Sequence, residues 1–174
     1  MGDLTVIDNF DDSCVELLEC LREFTKDATG QLIMPTRIQK AGEEPSFRAA
    51  DVYLMRLPDS KAATKKAPYI LHQLITAKDQ QPEGKRSEAG AVVRSIFCVY
   101  SADEQEGGLM LLNLMERLRI ALLRSTIIGH RYQLDMEAGV ERLIYPEDTA
   151  PYYAGEMITT WQIPAIEREV REWL

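Results

Sequence analysis

The sequence predicts a single α+β domain, residues 1–174, with a mainly antiparallel sheet, two long helices packed on one face and a short C-terminal helix. Residues 91–100 are β-branched and aromatic, which suits a pleated, largely buried strand. Leu111, Met115, Leu118 and Leu122 then recur at helical spacing. Because the predicted strands do not alternate regularly with helices, an antiparallel sheet is favoured over a parallel one.

The amino-acid composition argues against a nucleic-acid-binding protein and against a membrane protein. Hydrophobic residues make up 45% of the 174 residues and charged residues 28%, as in ordinary globular domains. The net charge of −8 argues against a surface built to bind nucleic acid, and we expect no sequence-specific binding of that kind. No apolar run approaches the roughly 20 residues of a membrane helix, and acids occupy the N-terminus where a signal peptide has bases. We therefore expect no membrane partner, and a protein made in a cytoplasm.

Up to residue 100, the chain predicts one helix and three clear strands, and residues 32–38 are also consistent with a short strand interrupted by Pro35. Asp11 to Ser13 offer N-caps for an amphipathic helix that ends near Lys26. Strands are predicted over 51–57, 69–76 and 91–100, with a solvated connection over 59–67. The segment 78–90 is polar and joins two strong strands, so it predicts a hairpin arm. The three cysteines, Cys14, Cys20 and Cys98, are expected to be buried free thiols.

The second half predicts a long helix over 109–124. Either Ser101 with Glu104, or Asp103 with Glu106, has capping-box spacing before it. Gly107 and Gly108 in the first turn are explained by close packing or by flexibility, and Gly129 is the expected C-cap. Short strands are predicted over 130–134, 140–145 and 155–163, and Pro164 predicts the start of the terminal helix.

Residues suited to catalysis are few. His72 and His130 are the only histidines, and neither has a partner at metal-binding spacing. No phosphate-binding glycine loop or nucleophile elbow is present. Helix capping and solvation account for the acids at 103–106 and 135–141. We therefore expect no catalytic, cofactor-binding or metal-binding residues, and no cofactor.

The strands at 69–76 and 91–100 are apolar on both sides, so a second layer must cover them. Other strands or the terminal helix would supply this cover in a monomer, and neighbouring subunits in an oligomer. In the second case we expect one contact surface on the sheet and another near the arm or the 59–67 loop. The expected interface residues are Tyr69, Leu71 and Phe97 on the sheet, Lys61, Lys65 and Lys66 on the loop, and Lys85 and Arg86 on the arm.

Three segments carry a family resemblance: SADEQEGGLMLLNLMERLRIALLRS, HRYQLDMEAGVERLIYPED and YYAGEMITTWQIPAIERE. An acidic, glycine-containing segment leads into a long apolar helix, a hairpin follows, and a late Gly-Glu-Met…Thr-Trp strand runs into Pro-Ala-Ile-Glu-Arg-Glu. Over roughly residues 50–170 this pattern resembles the tail-terminator and tail-completion proteins of long-tailed bacteriophages and prophages.

The resemblance implies a structural protein of the virion tail or neck, assembled in the bacterial host cytoplasm, and no enzymatic activity. Such subunits form a homo-oligomeric, hexameric ring that caps the tail tube and joins it to the head connector. Its partners would be other copies of itself, the tail tube protein and the head–tail connector proteins. Two alternatives stay open: a neck or head–tail joining component, and a non-viral small-ligand or adaptor domain.

Overall fold

The computed structural model describes residues 11–38, 41–58 and 66–167 and has an α+β architecture. Its two helices are α1 (Cys14–Thr29) and α2 (Gly107–Ser125). The strands in the described residues are β1 (Met34–Pro35), β2 (Phe47–Arg48), β3 (Asp51–Leu54), β4 (Tyr69–Gln80), β5 (Glu88–Tyr100), β6 (Ile127–Ile128), β7 (Tyr132–Leu134), β8 (Glu141–Ile144) and β9 (Tyr152–Ile163). The predicted α+β class, with a mainly antiparallel sheet and two helices, is confirmed.

The main sheet has the strand order β3-β4-β5-β9-β7-β6, and β8 also pairs with β9. Only β3, which runs parallel to β4, departs from the antiparallel arrangement. The long strands β4, β5 and β9 form the centre. The pairing of β4 with β5 extends to Gln80 opposite Glu88, with an irregularity between Leu74 and Thr76. The sheet therefore continues without a break into the arm.

One side of the central strands, here the inner face, carries the main core. Phe97, Met157 and Trp161 are fully buried there, since alternate residues of a strand point to the same side. Both helices contribute to the same cluster through Leu17, Leu18, Leu21, Leu111, Leu114, Met115, Leu118 and Leu122. Leu118 is 0% exposed, which confirms its predicted place in the core.

The opposite side, here the outer face, carries a second and smaller core. Tyr69, Leu71 and Cys98 are buried there against Leu57 and Ala67. These last two residues belong to the connection between β3 and β4. Leu57, which follows β3, and Ala67, which precedes β4, therefore cover this end of the outer face.

The ends of α2 differ from the prediction. Glu106 is the N-cap residue and makes no side-chain capping bond, so both expected capping boxes are wrong. Ser101 instead accepts a hydrogen bond from the backbone of Asp103, which stabilises the turn before the helix. The C-cap is Thr126, in a left-handed conformation with φ 57°, and not Gly129.

Of the two glycines at the start of α2, only Gly107 has a packing reason. A Cβ atom on Gly107 would lie 2.1 Å from the Tyr153 ring, whereas one on Gly108 would meet nothing within 4 Å. The predicted C-terminal helix is not confirmed. Residues 164–167 have no regular secondary structure, and 168–174 lie outside the described residues.

Candidate functional site

The buried histidine, His72, is hydrogen-bonded to two hydroxyl groups in the core. His72 is 0% exposed, and its Nε2 and Nδ1 lie 2.8 Å and 2.7 Å from the hydroxyls of Thr25 and Ser95. The Thr25 hydroxyl donates to the Leu21 carbonyl, so Nε2–H donates to Thr25 and Nδ1 accepts from Ser95. Burial lowers the pKa of His72 to about 3. The neutral ring therefore links α1, β4 and β5 and is out of reach of any substrate in solution.

The three cysteines are free thiols that differ in burial. Cys98 is buried, as expected, whereas Cys14 and Cys20 are only half-buried. Burial raises the pKa of the Cys98 thiol to about 11, so the nucleophilic thiolate is scarce at neutral pH. His130 is exposed in the turn between β6 and β7, with φ 64°.

The acidic residues serve turns and ion pairs. Asp103 accepts a hydrogen bond from the backbone of Gln105, and Asp135 accepts from Glu137. Glu116 bridges two arginines from α2 and β8. Within residues 11–38, 41–58 and 66–167, no group of three His, Cys, Asp or Glu side chains is placed to hold a metal ion.

The residues expected on the sheet interface lie below the surface of the isolated chain. Tyr69 and Leu71 are 7% and 5% exposed in the outer-face core, and Phe97 is fully buried in the main core on the other face. The strand register places Phe97 on one face of the sheet and Tyr69 and Leu71 on the other, so the three residues do not share one face. Leu57 and Ala67 pack against Tyr69 and Leu71 in the isolated chain. Contact of these residues with a neighbouring subunit stays a prediction.

The basic residues are divided among three environments. Lys61 and Lys65 lie outside the described residues. Lys66 is half-buried, and its carbonyl accepts a hydrogen bond from Arg48. Lys85 and Arg86 are exposed in the turn 81–87 at the tip of the arm. The arm is a paired hairpin, since 78–80 and 88–90 belong to β4 and β5.

Beyond the connecting segment, the outer face stays open and partly apolar. Cross-strand pairing places Leu143 and Ile96 on either side of Glu156, and Ile158 beside Arg94. Leu143 is 53% exposed, and Ile96 and Ile158 are half-buried. We refer to Val92, Ile96, Leu143 and Ile158 as the outer patch. An antiparallel sheet covered on one face usually presents polar residues on the other, so this patch needs an explanation.

A second exposed apolar surface lies on α2. Leu109, Leu112 and Ile120 are 67%, 42% and 39% exposed. At 100° per residue, Leu109 and Ile120 lie roughly 160–180° around the helix from the core residue Leu111. We refer to these three residues as the helix stripe. The sequence does not single out this stripe, because the spacing of the core residues Leu111, Leu118 and Leu122 is the stronger helical signal.

The two surfaces face in opposite directions. The helix stripe lies on the side of α2 that turns away from the main core, and the outer patch lies on the far side of the sheet from that core. The isolated chain therefore has one exposed apolar surface on each side.

Neither helix in the described part of the chain combines the length and hydropathy needed to span a bilayer. In comparisons with known proteins, no protein-family model matches the chain, and no curated protein matches it significantly.

Proposed function

We propose that this chain is a structural assembly protein that forms a homo-oligomeric ring, with the role that the tail-terminator resemblance implies. In the virion the ring, a hexamer, would cap the finished tail tube and join it to the head connector. It carries out no catalysis and needs no cofactor. The main support for this proposal is a pair of different apolar surfaces, the outer patch and the helix stripe, on opposite sides of one subunit.

A contact between two different surfaces is heterologous. Such contacts generate closed rings when the rotation between subunits closes, and open filaments when it does not. A twofold dimer, by contrast, uses one self-complementary surface. In the predicted fold, both helices cover one face of the sheet. The other face is then open to a neighbouring subunit. Two different apolar surfaces on opposite sides of one subunit therefore support the ring proposal.

The arm supplies a polar contact. Lys85 and Arg86 are exposed at its tip, and positive charge there favours an acidic surface on a neighbouring subunit or on the tail. Replacing both with glutamate should leave the subunit folded and weaken ring closure or docking on the tail. Sedimentation velocity of the free protein and co-pelleting with tail tubes measure the two effects. Unchanged assembly and docking would remove the arm from the proposal.

The ring itself is tested by a complementation experiment. Ile158→Arg blocks the outer patch and Leu112→Arg blocks the helix stripe, so each variant alone should be monomeric. Mixed together, they should form dimers and stop there, because each supplies the one surface that the other lacks. Ala102→Arg, at an exposed position in the turn before α2 and outside both surfaces, is the matched control and should still form rings.

Light scattering after size exclusion measures the masses, and electron microscopy shows the rings. Monomers for the unmodified chain at micromolar concentration, in the presence and absence of tail tubes, would contradict the proposal. Failure of the mixed variants to dimerise would contradict the heterologous contact specifically.

The role in the virion needs an infection test. Loss of the protein should give unjoined heads and overlong or unfinished tails. Normal tail length with unjoined heads would favour a neck or head–tail joining component, and normal joined tails would contradict both roles. A stable monomer without a virion phenotype would favour the adaptor alternative.

A further inference from the structure

Basic residues flank the helix stripe on the exposed side of α2. The helix contains one acid and three arginines: Glu116, Arg117, Arg119 and Arg124. At 100° per residue, Arg117 and Arg124 lie about 40–60° around the helix from Ile120, in nearly the same row. Both arginines are exposed. The helix stripe therefore has a basic edge.

The two exposed arginines have no acidic partner in the described part of the chain. The acid of α2, Glu116, is already neutralised by Arg119 and by Arg142 of β8. Among the described residues, Arg117 and Arg124 take part in no ion pair and no side-chain hydrogen bond. We refer to Arg117 and Arg124 as the stripe arginines. Their charge is available to an acidic surface outside the subunit.

The outer patch contains acids that alternate with its apolar residues. Glu141 shares one side of β8 with Leu143, and Glu156 shares one side of β9 with Ile158, because alternate residues of a strand point the same way. The strand register places Glu141 opposite Ile158 and Leu143 opposite Glu156. Glu141 is exposed, and Glu156 is half-buried beside Tyr145. We refer to Glu141 and Glu156 as the patch acids.

The nearest base to the patch acids is held towards another strand. Arg94 of β5 lies beside Ile158, and its Nε and Nη2 donate to Gln73 Oε1 on β4 at 3.2 Å and 2.9 Å. No ion pair joins Arg94 to either patch acid within the residues that the structure describes. The part of the outer patch next to β8 is therefore acidic.

The two sets of charges have comparable spacing. Arg117 and Arg124 are seven residues apart on one helix, which separates their Cα atoms by about 10.5 Å along the axis. Glu141 and Glu156 occupy diagonal positions on two paired strands, about 7–8 Å apart. The long side chains of arginine span this difference. Both stripe arginines can therefore meet both patch acids at one contact.

We propose, on the basis of the ring contact proposed above, that the stripe arginines of one copy pair with the patch acids of the next. Complementary charges of this kind fix the register of a contact and suppress wrong pairings. Two helix stripes placed together would bring arginines against arginines, and two outer patches would bring acids against acids. The charges therefore favour the heterologous contact over a twofold one.

Charge exchange tests this pairing in the full chain. The arginine variant combines Arg117→Glu with Arg124→Glu, and the acid variant combines Glu141→Lys with Glu156→Lys. Each variant alone brings like charges together, so the concentration needed for assembly should rise at least about tenfold. Mixed in equal amounts, the two should form rings in which they alternate, because each supplies the charge that the other lacks. Light scattering measures the assembly, and native mass spectrometry counts the two variants in each ring.

A chain with all four substitutions controls for net charge. It keeps the net charge of −8, because the two arginine replacements and the two glutamate replacements offset each other. It should form rings by itself, since the opposite charges meet again with their positions exchanged. It should not enter rings with the unmodified chain, because their contact would again join like charges.

The outcomes separate the charge pairing from the ring. Unchanged assembly of the arginine and acid variants, in conditions where the unmodified chain forms rings, would overturn the pairing and leave the ring in place. Weakened assembly that neither mixing nor the four-substitution chain restores would also overturn it. Monomers for the unmodified chain would contradict both. Circular dichroism checks folding, and Arg117→Glu mixed with Glu141→Lys, at two exposed positions, repeats the test if the half-buried Glu156 does not tolerate lysine.

Discussion

Acid should destabilise the folded chain through protonation of His72. The ring is neutral and fully buried, with Nε2–H donating to Thr25 and Nδ1 accepting from Ser95. Protonation at Nδ1 turns that acceptor into a donor facing the Ser95 hydroxyl, and it places a charge where burial alone lowers the pKa to about 3. The folded state therefore resists a proton that the unfolded chain accepts readily.

The sign and size follow from linkage. The folded-state pKa lies below the ordinary value of 6.5, so between these values the unfolded chain binds more protons and stability rises with pH. The contribution of His72 is fully present above the unfolded pKa and is lost as pH falls towards the folded pKa. Between about pH 7.5 and pH 4.5 this single group should lower the free energy of unfolding by roughly 2–3 kcal/mol.

Urea denaturation at several pH values measures the effect. The unmodified chain is compared with His72→Gln, whose amide offers both a donor and an acceptor but does not titrate in this range. The control is His130→Gln at the exposed histidine. The free energy of unfolding of the unmodified and His130→Gln chains should fall by roughly 2–3 kcal/mol more than that of His72→Gln over this pH interval. Equal pH slopes for all three chains would refute the reasoning, whatever their stabilities at neutral pH.

Two packing predictions concern α2. Leu118→Ala should lower the free energy of unfolding by roughly 2–5 kcal/mol through transfer and cavity terms, while Arg117→Ala on the exposed side should change it by less than about 0.5 kcal/mol. A loss well under 1 kcal/mol for Leu118→Ala would mean that α2 packs differently. Gly107→Ala should destabilise by about 1–3 kcal/mol because the methyl group meets the Tyr153 ring, whereas Gly108→Ala should be neutral or stabilising by up to about 1 kcal/mol. Urea denaturation measures both pairs, and equal effects of the two alanines would contradict the packing at Gly107.

Local spacing predicted the helices and long strands well. The helix predicted over 109–124 is α2, and the first amphipathic helix runs slightly past Lys26 to Thr29. The helix ends were harder to predict. Thr126 takes a left-handed conformation that sequence statistics assign to glycine, because its N–H reaches the Leu122 carbonyl. A threonine in this role has no marker in the sequence.

The pairing of strands was less predictable than their presence. The parallel placement of β3 beside β4 depends on where the connecting segment runs, which no local pattern encodes. Apolar residues on both sides of β5 were visible in the sequence. Their assignment to covered or open surface was not, because Cys98 is buried in the outer-face core while Ile96, two residues earlier on the same face, packs against that core only in part.

The location of the candidate interface follows from this difference. Leu57 and Ala67 cover only the end of the outer face next to β3, so Tyr69 and Leu71 are buried and Leu143 stays exposed. If the chain used both sides of its sheet only for its own core, the cover would be expected to extend over Leu143 as well. Instead Leu143 stays exposed past the edge of this cover, and a second exposed apolar surface lies on the far side of α2. Under the proposed ring contact, a neighbouring copy would cover both surfaces at once. The mixing of two surface variants tests that contact more directly than either variant alone.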